Sequence, residues 1–406
     1  METLHINLVS EHITANLIPT LSDSNCIGVV LVQGDDKLES KNQMLCELYK
    51  RRNIPVLKQL IGTSSHFFSQ LNRQANELID YLVTYHKDKC WVLNVTCGTK
   101  PMSLAMTLAM QNYNAQCSQE SQPALIIYTD SQNKAIHILN NQQSGSLPYQ
   151  SILTLEELLM ANRFTINNCI DSSNDHFVHE RAELTRYLGK QFSGKFQGML
   201  GQLQWAASEA AKNHKVDFSQ TIHLKNKEFS VIYNRLAGEG LIQCQWHEHN
   251  NEIEIQFNGE DACRYLAGLW LEEFTYLQAL ECGFEEVAMS VEGVWNDDRL
   301  SQEQGKNNEF DMLIRHNNQL LTVECKARNW DSKAKQLTSE QDILHKLDNL
   351  GSKLGGLYAQ NLLVSAYTLT GSMLNRAQTN QIIVCDNVTQ DKLLEIFKRL
   401  KKQMGN

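Results

Sequence analysis

Hydrophobic and polar positions divide the chain into three differently patterned stretches. Over the first 140 residues, short apolar runs at 5–9, 26–32, 55–61, 90–95 and 124–128 alternate with longer segments, such as 67–85 and 101–113, whose apolar residues recur every three to four positions. Short apolar runs predict strands buried on both faces, and their alternation with amphipathic helices predicts a Rossmann-like parallel sheet covered by helices. The middle reads differently: helices over 153–161 and 226–241, then short strands at 242–246 and 253–257 flanking a polar turn at 247–251. Helix, glycine-containing turn and hairpin in that order predict a small winged-helix-like module. Further on come a helix at 268–274, two strands joined by the polar turn 316–319, helical periodicity over 340–351 and 353–362, a strand at 381–385 and a basic amphipathic helix at 391–404. These predict an αβ sandwich. The expected fold class is α/β, with domains over 1–148, 149–258 and 259–406.

The 406 residues, 42% hydrophobic, suffice for two or three real cores. No run of eighteen apolar residues exists, and residues 1–7 lack the basic-then-apolar order of a signal peptide, so a cytoplasmic address is expected. Eleven cysteines lie scattered without a CxxC pair and read as reduced core thiols. His247-Glu248-His249 and His176-x-x-His179-Glu180 lack matching partners elsewhere and read as surface or packing histidines. A net charge of -9 excludes a protein that coats nucleic acid by bulk attraction. The distribution qualifies this: residues 260–324 carry 14 acidic and 4 basic side chains, residues 325–406 carry 7 acidic and 12 basic. An acidic half beside a basic half is what a phosphate-handling cleft requires.

Candidate chemistry concentrates at Asp311, followed thirteen residues later by Glu324-Cys325-Lys326. Alternation along a strand sends Glu324 and Lys326 one way and Val323 and Cys325 into the apolar layer, while Asp311 meets them from across the hairpin. Two carboxylates at one spot repel unless a cation lies between them, and hard oxygen donors suit Mg²⁺ or Mn²⁺. Such an ion would polarise a phosphate and lower the pKa of an attacking water, with Lys326 placed to orient that water or to offset charge at phosphorus. An outward Glu and Lys also occur on ordinary solvated strands. Glu309 on the face of Asp311, the acidic helix with Glu272 and Glu273, and the basic residues Arg328, Lys333 and Lys335 shift the reading towards a site. The ensemble resembles the PD-(D/E)xK nuclease superfamily, with Phe310 where the name has Pro. That resemblance implies Asp311 and Glu324 as metal ligands, Lys326 as the catalytic lysine and Glu272 as an auxiliary carboxylate, with the choice between Glu272 and Glu273 left open by helical spacing.

Two strand ends of the first domain are unusually polar: Ser10-Glu11-His12, and Asn94-Val95-Thr96-Cys97-Gly98-Thr99-Lys100-Pro101. The second is a glycine-containing turn with hydroxyls and a lysine, opening a helix at Pro101. It suits a phosphate or a ribose and is not a Walker loop, because GxxxxGK[ST] is missing. An N-x-T-x-G-T-K-x-M strand end on a chain that closes with a PD-(D/E)xK domain resembles the CARF-domain ancillary nucleases of type III CRISPR systems. The motif is carried by Asn94, Thr96, Gly98, Thr99, Lys100 and Met102, with Cys97 where that family often has Gly. The resemblance implies that Ser10, Glu11, Thr96, Cys97, Gly98, Thr99 and Lys100 line a cyclic oligoadenylate, most closely cyclic tetra-adenylate, bound across a homodimer. A two-fold interface presents each loop twice and so suits a cyclic ligand of repeated units.

The implied function is a ligand-activated, Mn²⁺- or Mg²⁺-dependent endonuclease cleaving DNA or RNA in antiviral defence. Two alternatives remain at this point. One is a nucleotide-sensing winged-helix transcription regulator without nuclease activity; the other is a constitutive restriction-like or repair enzyme. For the middle module, Glu248 and Glu252 on the wing and the lack of an arginine cluster favour a spacer over a DNA reader.

Overall fold

The computed structural model describes residues 1–117, 123–140, 146–194, 196–212, 218–223, 230–247, 252–296, 308–327, 336–355 and 359–405. The expected basic residues Arg328, Lys333 and Lys335, the turn residues Glu248 and His249, and the helix start at 226–229 lie outside them.

The first domain alternates β1 (Thr3–Leu8), α1 (Thr14–Ser22), β2 (Cys26–Gln33), α2 (Glu39–Arg51), β3 (Val56–Ile61), α3 (Phe68–Tyr85), β4 (Cys90–Asn94), α4 (Lys100–Gln116) and β5 (Leu125–Asp130). The strands pair in parallel in the order β3-β2-β1-β4-β5, and β6 (Ala135–Ile138) and β7 (Ser146–Leu147) extend the edge antiparallel. Each of the five expected strands is present within one or two residues. Leu4, Ile6, Val30 and Leu93 pack under α3 and α4, and Val29 and Leu31 under α1 and α2, which is why β2 is apolar on both faces. Asn7 and Asn94 are buried exceptions: Asn7 donates to the Tyr49 hydroxyl at 2.8 Å, and Asn94 donates to the Ala15 carbonyl at 2.8 Å.

The chain leaves the first domain through α5 (Leu155–Ala161), opened by a capping box of Thr154 and Glu157. Arg52, just after α2, donates from two nitrogens to the Glu157 carboxylate at 2.5 and 2.6 Å. Then β8 (Phe164–Ile170), which falls inside the stretch assigned by sequence to the middle module, pairs antiparallel with β12 (Glu286–Trp295) of the last domain. The middle module proper follows as α6 (His176–Glu180), α7 (Ala182–Phe192), α8 (Gln197–Lys212), β9 (Ser219–His223), α9 (Ser230–Gly238), β10 (Ile242–His247) and β11 (Glu252–Phe257), with sheet order β10-β11-β9. His176 and His179 are exposed and pair with Glu180 and Asp175, each at 3.1 Å, and His247 faces Glu254 at 3.5 Å.

In the last domain α10 (Glu260–Arg264), a one-turn π-helix over Tyr265–Leu269 and α11 (Trp270–Glu281) precede the sheet. That sheet is ordered β16-β15-β14-β13-β12-β8, built from β12, β13 (Asn308–His316), β14 (Gln319–Lys326), β15 (Gln360–Ser365) and β16 (Ile383–Cys385). α12 (Gln336–Gly355), α13 (Gly371–Thr379) and α14 (Gln390–Gly405) complete the sandwich. The helix expected over 353–362 is corrected: helical structure ends at Gly355, and residues 360–362 begin β15. A Cβ at Gly355 would crowd Ala359, so the close approach of the following chain requires glycine there. The β13–β14 turn has Asn317 and Asn318 both at positive φ, 50° and 58°, matching a type I′ hairpin.

Candidate active site and sensor cavity

The hairpin places Met312 opposite Val323, so Asp311 and Glu324 stand next to each other on adjacent strands. Lys326 Nζ lies 2.7 Å from Glu324 Oε1 and 3.2 Å from Asp311 Oδ2, and the Cys325 amide donates to the same Asp311 oxygen at 2.7 Å. Val323 and Cys325 face the opposite layer, where the Cys325 thiol meets Thr275 of α11 at 3.6 Å. Alternation along β14 therefore places its residues as expected.

α11 decides between its two glutamates. Glu273 is fully buried and turned away from the hairpin, held by two nitrogens of Arg181, the residue that caps α7. Glu272 faces the hairpin: burial and the Asp311 charge, opposed by Lys326, push its carboxyl up to about 9. Burial and Asp311 raise Glu324 as well. Burial pulls the Lys326 ammonium down, but Asp311 and Glu324 outweigh it and hold the ammonium charged. Three crowded carboxylates with a single ammonium between two of them form an electrostatic arrangement that a hard divalent cation would relieve. Among the described residues no three Asp, Glu, His or Cys side chains form a ready-made ion cage, because Lys326 fills the space between Asp311 and Glu324. The donor chemistry fits Mg²⁺ or Mn²⁺, with all three groups oxygen donors.

The Arg181–Glu273 pair fixes the roll of α11 and with it the direction of Glu272. Arg181 also stacks over the Tyr265 ring at 4.3 Å to the centroid. Arg181→Ala leaves a carboxylate buried without its cation, and is expected to lower the unfolding free energy by about 3–5 kcal/mol. Urea denaturation of the two proteins measures it; an unchanged midpoint would show that the pair is dispensable.

At the other end of the hairpin lies a cavity of about 450 Å³ lined by both domains. Of the residues expected around the ligand, Ser10, Glu11, Thr96, Cys97, Gly98 and Thr99 line it, and Lys100 does not, standing exposed in the first turn of α4. Gly98 has φ +82°, and a Cβ there would approach Leu8 to 3.0 Å, so glycine is required. Four predicted ligand side chains are already engaged, among them Ser10, whose hydroxyl donates to the His12 carbonyl at 3.1 Å. The Thr96 hydroxyl donates to Asn94 Oδ1 at 2.6 Å and accepts from the Thr129 amide at 2.6 Å. The Cys97 thiol donates to the His12 carbonyl at 3.1 Å, and the Thr99 hydroxyl donates to the Ser65 carbonyl. The motif thus braces the loop as much as it presents a surface. The opposite wall, which sequence reading did not find, is the hairpin tip at Asn318, Gln319 and Leu320 with Leu354 and Gly355 of α12. Asn318 locks that tip to the interdomain segment, accepting from the amides of Ile152 and Leu153 at 2.9 and 3.0 Å and donating to the Gln150 carbonyl at 2.6 Å.

Comparison with known proteins finds a family match in each end of the chain. Residues 4–158 match the Card1 CARF domain family, and residues 259–404 match the Card1-like endonuclease domain family. No curated protein matches the chain in sequence. Among solved structures, Can2 from Sulfobacillus thermosulfidooxidans, in complex with cyclic tetra-adenylate, is 21% identical with a TM-score of 0.75, covering 100% of this chain and 98% of that one. Protein VC1899 from Vibrio cholerae is 18% identical with a TM-score of 0.77, covering 99% and 98%. A type III CRISPR defence DNA nuclease activated by cyclic oligoadenylate is 16% identical with a TM-score of 0.51, and the match covers 90% of this chain but only 45% of that protein. These likenesses support the fold, while the two family matches define the parts. With a Card1 CARF domain followed by a Card1-like endonuclease domain, the chain belongs with the Card1-like CARF nucleases.

Proposed function

We propose that the chain is a cytoplasmic endonuclease, switched on by cyclic tetra-adenylate at the sensor and dependent on Mn²⁺ or Mg²⁺ at the hairpin. The observation that carries the chemistry is Lys326 within 3.2 Å of both Asp311 and Glu324, beside Glu272 of α11. Asp311 and Glu324 would hold the cation, with Glu272 as a third oxygen donor. When bound, the ion supplies Lewis acidity to the scissile phosphate. Lys326 keeps its charge next to that position and offsets negative charge developing on the phosphate oxygens. The sensor reading is supported by Ser10, Glu11 and Gly98 at the strand ends, and by the ligand in Can2.

Pairing of two copies is supported by an apolar face on the sensor. Leu104 and Leu108, one turn apart on α4, are 53% and 41% exposed, and Phe67 is 68% exposed. The regulator alternative is weakened by Glu252 and Glu254 on β11, which would face a DNA backbone with like charge. No described helix is long and apolar enough to cross a membrane.

The test is a labelled oligonucleotide and a plasmid incubated with Mn²⁺, with and without cyclic tetra-adenylate, and with chelator. Cleavage is expected only when both ion and activator are present. Cleavage without activator would favour the constitutive enzyme, and operator binding without cleavage would favour the regulator.

A further inference from the structure

A second cavity, of about 540 Å³, opens beside the carboxyl ends of β14 and β15. One wall is a stripe on α8: Gly198, Gly201, Gln202, Trp205, Ser208, Glu209 and Lys212 recur at three- and four-residue spacing on the face opposite its buried Leu200, Leu203, Ala207 and Ala210. Trp205 is 58% exposed, whereas Trp91 and Trp270 are buried and Trp246 and Trp295 half-buried. The other wall is Tyr367, and a Cβ at Gly201 would collide with its hydroxyl, so glycine sets the width of the gap.

This cavity adjoins the candidate active site. The Ala366 amide, one residue before Tyr367, donates to the Lys326 carbonyl at 3.1 Å. Gln204 of α8 donates to the Ala267 carbonyl at 2.8 Å, and a Cβ at the following Gly268 would lie 3.9 Å from that of Ala327, the residue after Lys326. A strand of nucleic acid held with a phosphate at Lys326 therefore has its neighbouring nucleotides within reach of this opening. The lining decides what part enters. Lys212 is paired with Glu209 at 2.6 Å, so the wall offers no surplus cation for a phosphate. It offers instead a broad aromatic face and the amide of Gln202, whose donor and acceptor groups accommodate any base edge. The volume is within the range of small-ligand pockets, roughly 300–1,000 Å³.

We infer that this cavity receives an unpaired base of the substrate strand flanking the cut, stacked on Trp205. The inference rests on the nuclease reading above and deepens it: a substrate must be able to turn a base out beside the scissile phosphate, as a single strand or an unpaired segment can. Trp205 is then a positioning residue, acting on binding rather than on the chemical step.

Steady-state cleavage with Mn²⁺ and cyclic tetra-adenylate tests this. Trp205→Ala is expected to raise KM about tenfold with kcat little changed, and Trp205→Phe to restore most of the loss. An oligonucleotide series with a single abasic position walked along the strand should show one position whose removal costs wild type the same factor and costs Trp205→Ala nothing further. An unchanged KM in Trp205→Ala, or abasic penalties that persist in full, overturns the inference. So does conversion of a dimer to a monomer by Trp205→Ala in sedimentation with the abasic penalty intact, since the face would then seat a second copy. A measurement without turnover separates this inference from the nuclease reading: in Glu324→Gln, an oligonucleotide should quench the fluorescence that Trp205→Phe removes. Quenching in a protein whose wild type never cleaves sinks the nuclease reading alone, and cleavage without quenching sinks the base site alone.

Discussion

Lys326→Ala is expected to abolish cleavage while leaving Mn²⁺ bound at least as tightly as in the wild type. The ammonium is held charged by Asp311 and Glu324, and on the proposed reading would face a phosphate oxygen gathering charge as the bond breaks. Removing one such preorganised stabiliser typically costs about 10²–10³-fold in rate. The same substitution withdraws the positive charge that separates two carboxylates, so their mutual repulsion, with Glu272 close by, favours a divalent cation more strongly. Glu324→Gln has the opposite signature on the ion: cleavage and Mn²⁺ affinity fall together. Initial rates on a labelled oligonucleotide, paired with calorimetric titration of Mn²⁺, distinguish the two. Equal loss of ion binding in both variants would place Lys326 among the groups that build the ion site rather than beside it.

The second large effect lies at the sensor. Thr99→Ala combined with Lys100→Ala is expected to remove activation at activator concentrations that saturate the wild type, with Mn²⁺ affinity at the hairpin unchanged. Lys100 occupies the first turn of α4, where no acidic residue is found and where the helix dipole disfavours a cation. Its ammonium, exposed and outside the cavity wall, would on the proposed reading attract an anion held at the strand end. Switching from mostly off to mostly on requires the ligand to prefer the active arrangement by about 5 kcal/mol. A hydrogen bond to a charged group is worth about 1.5–3 kcal/mol, and in the proposed two-fold assembly each contact would be lost twice, a bias of the required size. Titrating cyclic tetra-adenylate against cleavage rate measures this. Full activation with an unshifted midpoint would move the ligand away from this loop.

The strands of the sensor were legible because short apolar runs alternate with amphipathic helices, and the hairpin because alternation through Val323, Glu324, Cys325 and Lys326 admits one register around the Asn317-Asn318 turn. Family resemblance added the sensor ligand, which periodicity alone does not supply. Other features depend on contacts far apart in sequence. Glu272 and Glu273 are equivalent by helical spacing, and Arg181, some ninety residues earlier, separates them. β8 carries Asn167 and Asn168 in place of an apolar run, and belongs to its sheet only through pairing with β12. Helical periodicity continues through Leu354, which hid the break at Gly355 and the start of β15. The far wall of the sensor cavity comes from a turn nearly two hundred residues from Thr129, so no local pattern announces it.

Because β8 is threaded into the catalytic sheet before the winged module is built, the hydrolytic half of this protein is not a contiguous cassette. A fragment starting at residue 259 would leave one margin of β12 with unpaired amides and carbonyls, a surface prone to recruiting foreign strands. Grafting the cutting activity onto another receptor therefore calls for a junction upstream of Phe164, carrying the winged module along as an obligatory passenger.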